Sequence, residues 1–452
     1  MIIKKHDICI IGAGTSGISA CKNFQEAGLD FICFEASDRI GGNWVFRNKN
    51  GMSSAYESLH INTSKEKMQF YDFPMPDHYP DFPHHSHIAE YFEDYVKHFG
   101  FKDKILFNTV IKQVTKIDED RWELISHNEE KYLCNHLIVA NGHHWDPKMP
   151  RFEGSFDGEA FHSHHYLNPE EPVNCKNKNI LIIGAGNSAM DIASELSRKN
   201  ISNKVFLSIR SPVWVTPKYF GSMTLDHFQR HPSQKKGWID AIKELIFDIF
   251  GEALLTRKIV QAIGKPEDIG LPKPQHKFTQ AHPTISSEIQ LRIGSGDLIV
   301  KKNVSSLDGK AVYFEDNSQE NIDVIIYATG YKISFPFFKK SFINVIDNHL
   351  PLYKRIFHPE ITNLYFIGLI QPLCALMPVV DEQSKMLTKY FQGKFKLPSK
   401  EHMRSDAEVA NNKMLEHYVK SSRHTIQINC TKYTDDLRAV SYTHLTLPTS
   451  YA

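Results

Sequence analysis

Two stretches of the chain share one pattern of hydrophobic and polar positions. In each, four consecutive apolar residues give way to glycines, and the glycines to helical spacing. At 8–11 the run leads into Gly12, Gly14 and Gly17 and then "ISACKNFQEAG". At 180–183 it leads into Gly184 and Gly186, with Asn187 and Ser188 opening the stretch "NSAMDIASELS". A continuous apolar run bounded by turn residues predicts a strand buried on both faces. The strand–turn–helix pattern thus occurs twice and predicts an α/β fold with two Rossmann-like dinucleotide-binding domains. Further along, Trp238, Ile242, Leu245, Ile246 and Ile249 recur at helical spacing, with Asp240, Lys243, Glu244 and Asp248 largely between them. This predicts an amphipathic helix over 237–251 that faces the core or a second subunit.

The glycines give the pattern its chemistry. In G-x-G-x-x-G, Gly12 permits a tight turn and Gly14 lets a pyrophosphate approach the backbone. Gly17 lets helix and strand pack closely. The helix N-terminus then offers unpaired N–H groups to the phosphates. The next strand, "DFICFE", ends in Glu35, an acid placed to accept hydrogen bonds from ribose hydroxyls. That combination suits FAD. In the second cradle Ala189 replaces the third glycine, which the motif tolerates. Its following strand, "KVFLSIR", ends without an acid and offers Ser208 and Arg210. A guanidinium binds a 2′-phosphate where a carboxylate would repel it, so this cradle is expected to prefer NADPH.

Composition narrows the function. Among 452 residues the net charge is +1 and 23% are charged, which leaves no bulk case for nucleic acid or an anionic membrane. No run of about twenty apolar residues occurs, so no transmembrane segment is expected. Lys4, Lys5 and His6 lead into an apolar run too short for a secretory signal core. The seven cysteines, Cys9, Cys21, Cys33, Cys134, Cys175, Cys374 and Cys430, are widely spaced, with no CxxC. Reduced thiols and a cytoplasmic location are expected. Without a cysteine pair at hand, molecular oxygen is the leading acceptor of electrons passed from pyridine nucleotide to flavin. The histidines, 24 in all, include "PHHSH" at 83–87 and "HSHH" at 162–165; neither has a supporting Cys or carboxylate at ligand spacing, and no metal site is expected.

Between the cradles lies "FDGEAFHSHHY", with Phe156, Gly158, His162 and Tyr166 at fixed intervals. It resembles the fingerprint of the flavin-containing monooxygenases, class B flavoprotein enzymes. The resemblance extends over about residues 5–395 and includes "GGNW" (with Gly42 and Trp44) after the ribose acid. It also takes in "INTSKEKMQFYDFPMP" with Asn62, "YATGY" at 327–331, and "LYFIGLIQPLCALMPVVDEQ" with Gln383. It implies that Asn62 lies near the flavin and the oxygen site and that Gln383 contacts flavin. It also implies that His162 and its neighbours fix the geometry between domains, and that YATGY closes a strand returning to the FAD domain. The activity implied is NADPH- and oxygen-dependent transfer of oxygen to a soft nucleophile, a tertiary amine nitrogen or a sulfide sulfur, through a 4a-hydroperoxyflavin. Two departures stand out. The family's earlier "ATG" reads Ala140-Asn141-Gly142, whose turn is expected to survive. Tyr166 stands where the related Baeyer–Villiger enzymes usually carry Trp. Baeyer–Villiger or N-hydroxylating chemistry on the same build stays open, as does a nucleotide-binding regulatory flavoprotein with little turnover.

The expected layout is an FAD domain at 1–167, an inserted NADPH domain at 168–291, and the rest of the FAD domain at 292–436. The stretch "LPKPQHKFTQAHPT" is the expected return linker. Residues 437–452 show no amphipathic period, and "SYTHLTLPT" resembles a translated adapter. They are expected to form a non-native or disordered tail. Partners are oxygen and a small-molecule nucleophile, and a homodimer is consistent with the chain.

Overall fold

The computed structural model describes residues 3–227, 229–240, 242, 251–343, 345–419 and 425–443. Ile3–Ile11 is exposed at its start and buried at its end, as a strand must be when it enters a core. It pairs in parallel with Phe31–Phe34 on one side and Lys131–Val139 on the other. Ile105–Leu106 extends the sheet beyond Phe31–Phe34. Late in the chain, Leu364–Phe366 joins the same sheet beside the end of Lys131–Val139. A hairpin, Ile111–Lys116 and Trp122–Ser126, pairs with the beginning of Lys131–Val139. The first unit is therefore discontinuous. The helix Thr15–Glu26 packs its buried face, including Ile18, Cys21 and Phe24, on this sheet. The Phe24 ring meets Phe31 edge to face at 6.0 Å.

The second sheet is parallel throughout, in the order Leu298–Lys301, Lys204–Ser208, Asn179–Ile183, Val324–Tyr327, Glu159–His162. A smaller sheet lies against it, formed by Glu153–Phe156, Val304–Gly309, Ala311–Phe314 and Gln319–Asn321. Leu181, Ile183 and Phe206 share one core with Val304, Val312 and Phe314.

Four expectations are corrected here. The second unit does not run from 168 to 291. Its sheets take in 153–162 and 298–327, because Tyr327 pairs with His162 and Val205 with Leu298. An apolar run foretells a strand but not its partner. For the same reason the strand before Ala328 belongs to the second sheet; the chain crosses back only at Tyr331–Lys332, which pairs with Asp146–Pro147. Residues 437–443 are not a structureless tail, since the helix Cys430–Thr443 contains them. Leu437 is 1% exposed, and Arg438 Nε lies 2.9 Å from Glu382 Oε2. Nor are all cysteines reduced: Cys374 and Cys430 form a disulfide that ties the approach to the helix Leu376–Phe391 to the first residue of Cys430–Thr443. Cys9, Cys21, Cys33, Cys134 and Cys175 are free and buried. Most of the expected amphipathic helix, 241 and 243–250, lies outside the described residues; within it, Trp238 and Ile242 are exposed.

Among the described residues no helix is long and apolar enough to cross a membrane. Among them, too, no group of three or more His, Cys, Asp or Glu residues could hold a metal ion.

Candidate active site

Both glycine turns sit where parallel strands end, and both are built alike. Gly12 has φ of +102°, and a Cβ there would lie 2.7 Å from the Ala140 carbonyl oxygen. Gly184 has φ of +147°, and its Cβ would lie 2.3 Å from the Ala328 oxygen. Left-handed φ and a carbonyl overhead each exclude a side chain. The alanines open Ala140-Asn141-Gly142 and Ala328-Thr329-Gly330, so each sheet closes its glycine turn with the same tripeptide device. The Asn in the first does not break it: Gly142 and Gly330 both keep positive φ. Gly17 is tighter still, since its Cβ would lie 1.8 Å from the Gly12 oxygen. Gly14 and Gly186 stand at the helix N-caps, and neither helix start carries a side-chain cap. The first N–H groups of both helices are thus left to a ligand.

Glu35 is 5% exposed at the end of its strand. Its Oε2 accepts from Ala13 N–H at 2.8 Å and its Oε1 from Ser37 N–H at 2.8 Å. Burial pushes its carboxyl up, while these backbone donors pull it down. A carboxylate has about four lone-pair sites, so acceptor capacity remains for ribose hydroxyls. Gly42 and Trp44 form the short helix Gly42–Trp44, and Trp44 is half-buried against the first core. A Cβ on Gly42 would lie 3.1 Å from the Gly14 Cα, so this segment roofs the first turn.

In the second cradle, Asn187 Oδ1 accepts from Ile285 N–H at 2.9 Å, and Ser188 is half-buried beside it. Arg210 is exposed beyond the strand end. Ser208 does not fit its expected role: it is fully buried and its hydroxyl donates to the Lys302 carbonyl at 2.8 Å. It joins strands rather than facing a ligand. Gln383 is also turned inward. Its Oε1 accepts from Gly368 N–H at 2.9 Å and its Nε2 donates to Tyr433 Oη at 2.7 Å. Both ends of the amide are engaged within the protein, so Gln383 holds the Gly368 turn.

Asn62 lies half-buried in a bend between Ile61 and the helix Lys65–Met68. The bend is held across the units: Lys218 Nζ donates to Ile61 O at 2.8 Å, and Ser64 N–H donates to Asp226 Oδ2 at 2.7 Å.

Of the fingerprint residues, His162 and Tyr166 lie towards the first unit, by Tyr331 and Tyr56, while Phe156 and Gly158 lie at the other end of the strand Glu159–His162, inside the second unit. Phe156 ends its strand, and a Cβ on Gly158 would strike the Phe156 ring at 2.5 Å and the Asp323 oxygen at 2.6 Å. His162 is 2% exposed; its Nδ1 accepts from His164 N–H at 3.0 Å, and its ring lies 5.2 Å from that of Tyr331. Burial lowers the His162 imidazole to about 4. The Tyr166 hydroxyl donates to Glu195 Oε2 at 2.8 Å, and Tyr56 donates to Asp191 Oδ2 at 2.5 Å. Burial first, then the hydrogen bond from Tyr56 acting against it, leaves the Asp191 carboxyl at about 6.

Sequence reasoning missed Tyr56, Asp191, His164, Lys218 and Asp226. His164, set aside in the sequence, reaches Gly51 O at 2.8 Å. Asp191 lies within the second helix signature but carries no local mark, and the other four meet their partners only through the fold.

A family model described as flavin-binding monooxygenase-like matches residues 4–449. Flavin-containing monooxygenase 5 of Rattus norvegicus is 39% identical over 448 residues, covering 94% of this chain and 80% of its own length. Dimethylaniline monooxygenase (N-oxide-forming) 2 of Rattus norvegicus is 35% identical over 460 residues, covering 96% of this chain and 82% of its own. Among solved structures, the S-allyl-L-cysteine S-oxygenase from Allium sativum is similar in fold, with a TM-score of 0.70 and 22% identity over 97% of this chain and 88% of that one.

Proposed function

On the premise that the chain belongs to the flavin-binding monooxygenase-like family and is a flavin-dependent monooxygenase, we propose that it binds FAD in the first cradle and NADPH in the second. Its substrates are soft nucleophiles, tertiary amines or sulfides, that take one atom of molecular oxygen. The observation that carries this is the duplicated cradle: two glycine turns under alanine carbonyls, each feeding an uncapped helix N-terminus.

Gly12, Gly14 and Gly17 would admit the FAD pyrophosphate and Glu35 would take its ribose. Gly184 and Gly186 would do the same for NADPH, with Asn187 and Ser188 at the helix start and Arg210 on the 2′-phosphate. The flavin supplies the oxygenating chemistry when bound. The protein's part is to bind, to orient and to exclude water. Asn62 would hold a polar contact at the reacting edge. The fingerprint residues fix the angle between the cradles through Tyr166–Glu195 and the His162–Tyr331 contact.

The test is stopped-flow absorbance of NADPH-reduced protein mixed with oxygenated buffer. A band distinct from oxidised flavin, persisting until a sulfide or tertiary amine is added, is the expected result. Immediate return to oxidised flavin with peroxide release would overturn it. Product analysis with a sulfide, a tertiary amine and a cyclic ketone assigns the substrate class. A cytoplasmic location and a homodimer complete the reading, to be checked by cell fractionation and sedimentation.

A further inference from the structure

The bend that carries Asn62 is gripped from outside its own unit. The grip comes from an antiparallel hairpin, Tyr219–Phe220 with Met223–Thr224, lying between strands of the second unit. Leu225 N–H closes the hairpin onto Lys218 O at 2.9 Å. At one end Lys218 Nζ bonds the carbonyl of Ile61, the residue before Asn62. At the other end Asp226 Oδ2 takes the N–H of Ser64, two residues after Asn62. Tyr219 adds a bond from its hydroxyl to Asp81 Oδ2 at 2.7 Å.

These are not loose surface pairings. Asp226 is 6% exposed. The Lys218 ammonium lies 4.9 Å from the Phe82 ring centroid, and its own backbone N–H is anchored on Ser287 Oγ at 3.0 Å. The N–H that Asp226 takes belongs to Ser64 itself, the residue that leads into Lys65–Met68, so the bond fixes the backbone at the end of the bend.

We propose that Lys218 and Asp226 are positioning residues that clamp the 61–64 bend and so set Asn62 against the reacting edge of the flavin. The proposal rests on the reading of Asn62 given above. It means that the nucleotide-side unit contributes to the oxygenating site through two charge-assisted bonds. Loosening them frees the bend and lets water in. The cost is then uncoupled turnover, in which NADPH, oxygen and a proton yield NADP⁺ and hydrogen peroxide with no oxygen delivered to substrate.

The experiment measures peroxide released per NADPH consumed in the flavin-loaded enzyme with a saturating sulfide, alongside the rate of flavin reduction by NADPH. Lys218→Met and Asp226→Ala are expected to raise the peroxide fraction about ten-fold, in line with loss of one charge-assisted hydrogen bond. Flavin content and reduction rate should stay near wild type. Lys218→Arg keeps a donor and Asp226→Asn keeps an acceptor, so both should restore coupling. If Lys218→Met fails to retain flavin, Lys218→Leu carries the same test. Asn62→Ala separates the two readings. If it uncouples while Lys218→Met and Asp226→Ala remain coupled, the clamp is overturned and the Asn62 reading stands. If Asn62→Ala is itself fully coupled, the premise falls and the clamp with it.

Discussion

Gly17 and Arg210 mark two kinds of single-residue demand. At Gly17 the demand is steric, since a methyl group would sit 1.8 Å from the Gly12 oxygen. Overpacking of this kind costs about 1–3 kcal/mol even where neighbours can shift, and here the neighbour is backbone. Gly17→Ala should therefore purify with flavin occupancy reduced at least about ten-fold, read from the ratio of flavin to protein absorbance. Full occupancy would show that the turn tolerates the methyl. At Arg210 the demand is electrostatic. Its side chain stands exposed at the end of Lys204–Ser208, while Ser208 beside it is turned into the sheet. Losing a hydrogen bond to a charged group costs about 1.5–3 kcal/mol, or roughly 10- to 100-fold in affinity. Arg210→Ala should weaken NADPH by that factor and leave NADH within about two-fold. Equal losses in titrations with the two nucleotides would remove the 2′-phosphate account. The glycines could be read from spacing alone because the motif is local. The inward turns of Ser208 and Gln383 could not, since each is decided by a carbonyl, hydroxyl or N–H distant in the chain.

The helix Asn187–Leu196 shows what an element can hold that its own sequence does not announce. Its start is a nucleotide cradle. One and two turns further on, Asp191 and Glu195 meet Tyr56 and Tyr166. These two tyrosines approach each other edge to face at 6.1 Å, so the helix is riveted to the fingerprint and to the 53–59 segment at once. Tyr166→Phe keeps the ring and removes the donor to Glu195. Stability to urea should fall by about 0.5–1.5 kcal/mol, the net worth of one part-buried hydrogen bond. Flavin reduction by NADPH should slow in the same variant, because the angle between cradles loosens. An unchanged urea midpoint would mean that Glu195 finds another donor. Here the fingerprint was legible as a spacing, and its steric core could be named once Gly158 was seen beneath the Phe156 ring. Tyr56, Asp191 and Glu195, which complete the junction, had no such spacing.

At the scale of the whole molecule, burial sets a pH response. The imidazoles of His85, His143, His162 and His358 are each lowered by burial to about 4. The unfolded chain takes up protons at these sites as pH falls through about 6.5, before the folded chain does. Their stabilisation is thus complete above about 6.5 and is lost as pH falls toward about 4. Asp191, raised to about 6, acts in the opposite sense: the folded chain keeps a proton that the unfolded chain has shed, so stability falls as pH rises from about 4 to 6. The buried Glu35 carboxyl, also raised, acts in the same sense as Asp191. Four imidazoles oppose these two carboxyls, and the net expectation is acid destabilisation, up to ~1.4 kcal/mol per pH unit for each net proton. Urea midpoints at pH 7 and pH 5 check the sign; a midpoint that holds or rises at pH 5 would contradict it. His162→Gln should flatten the slope.

What the sequence by itself determined is what local geometry can carry. Two buried strands, two glycine turns, the acid at Glu35 and the basic end at Arg210 follow from runs and spacings within about thirty residues. A turn, a helix start and an alternation need no distant partner. Tertiary structure decided which strands share a sheet, and so moved the domain boundary to take in 153–162 and 298–327. It placed Leu437 in the first core, although its stretch has no helical period of its own. It joined Cys374 to Cys430 across 56 residues, and it brought Lys218 and Asp226 to either side of Asn62. Each of these depends on two segments far apart in the chain meeting only when the whole is packed, and one segment alone carries no record of the other.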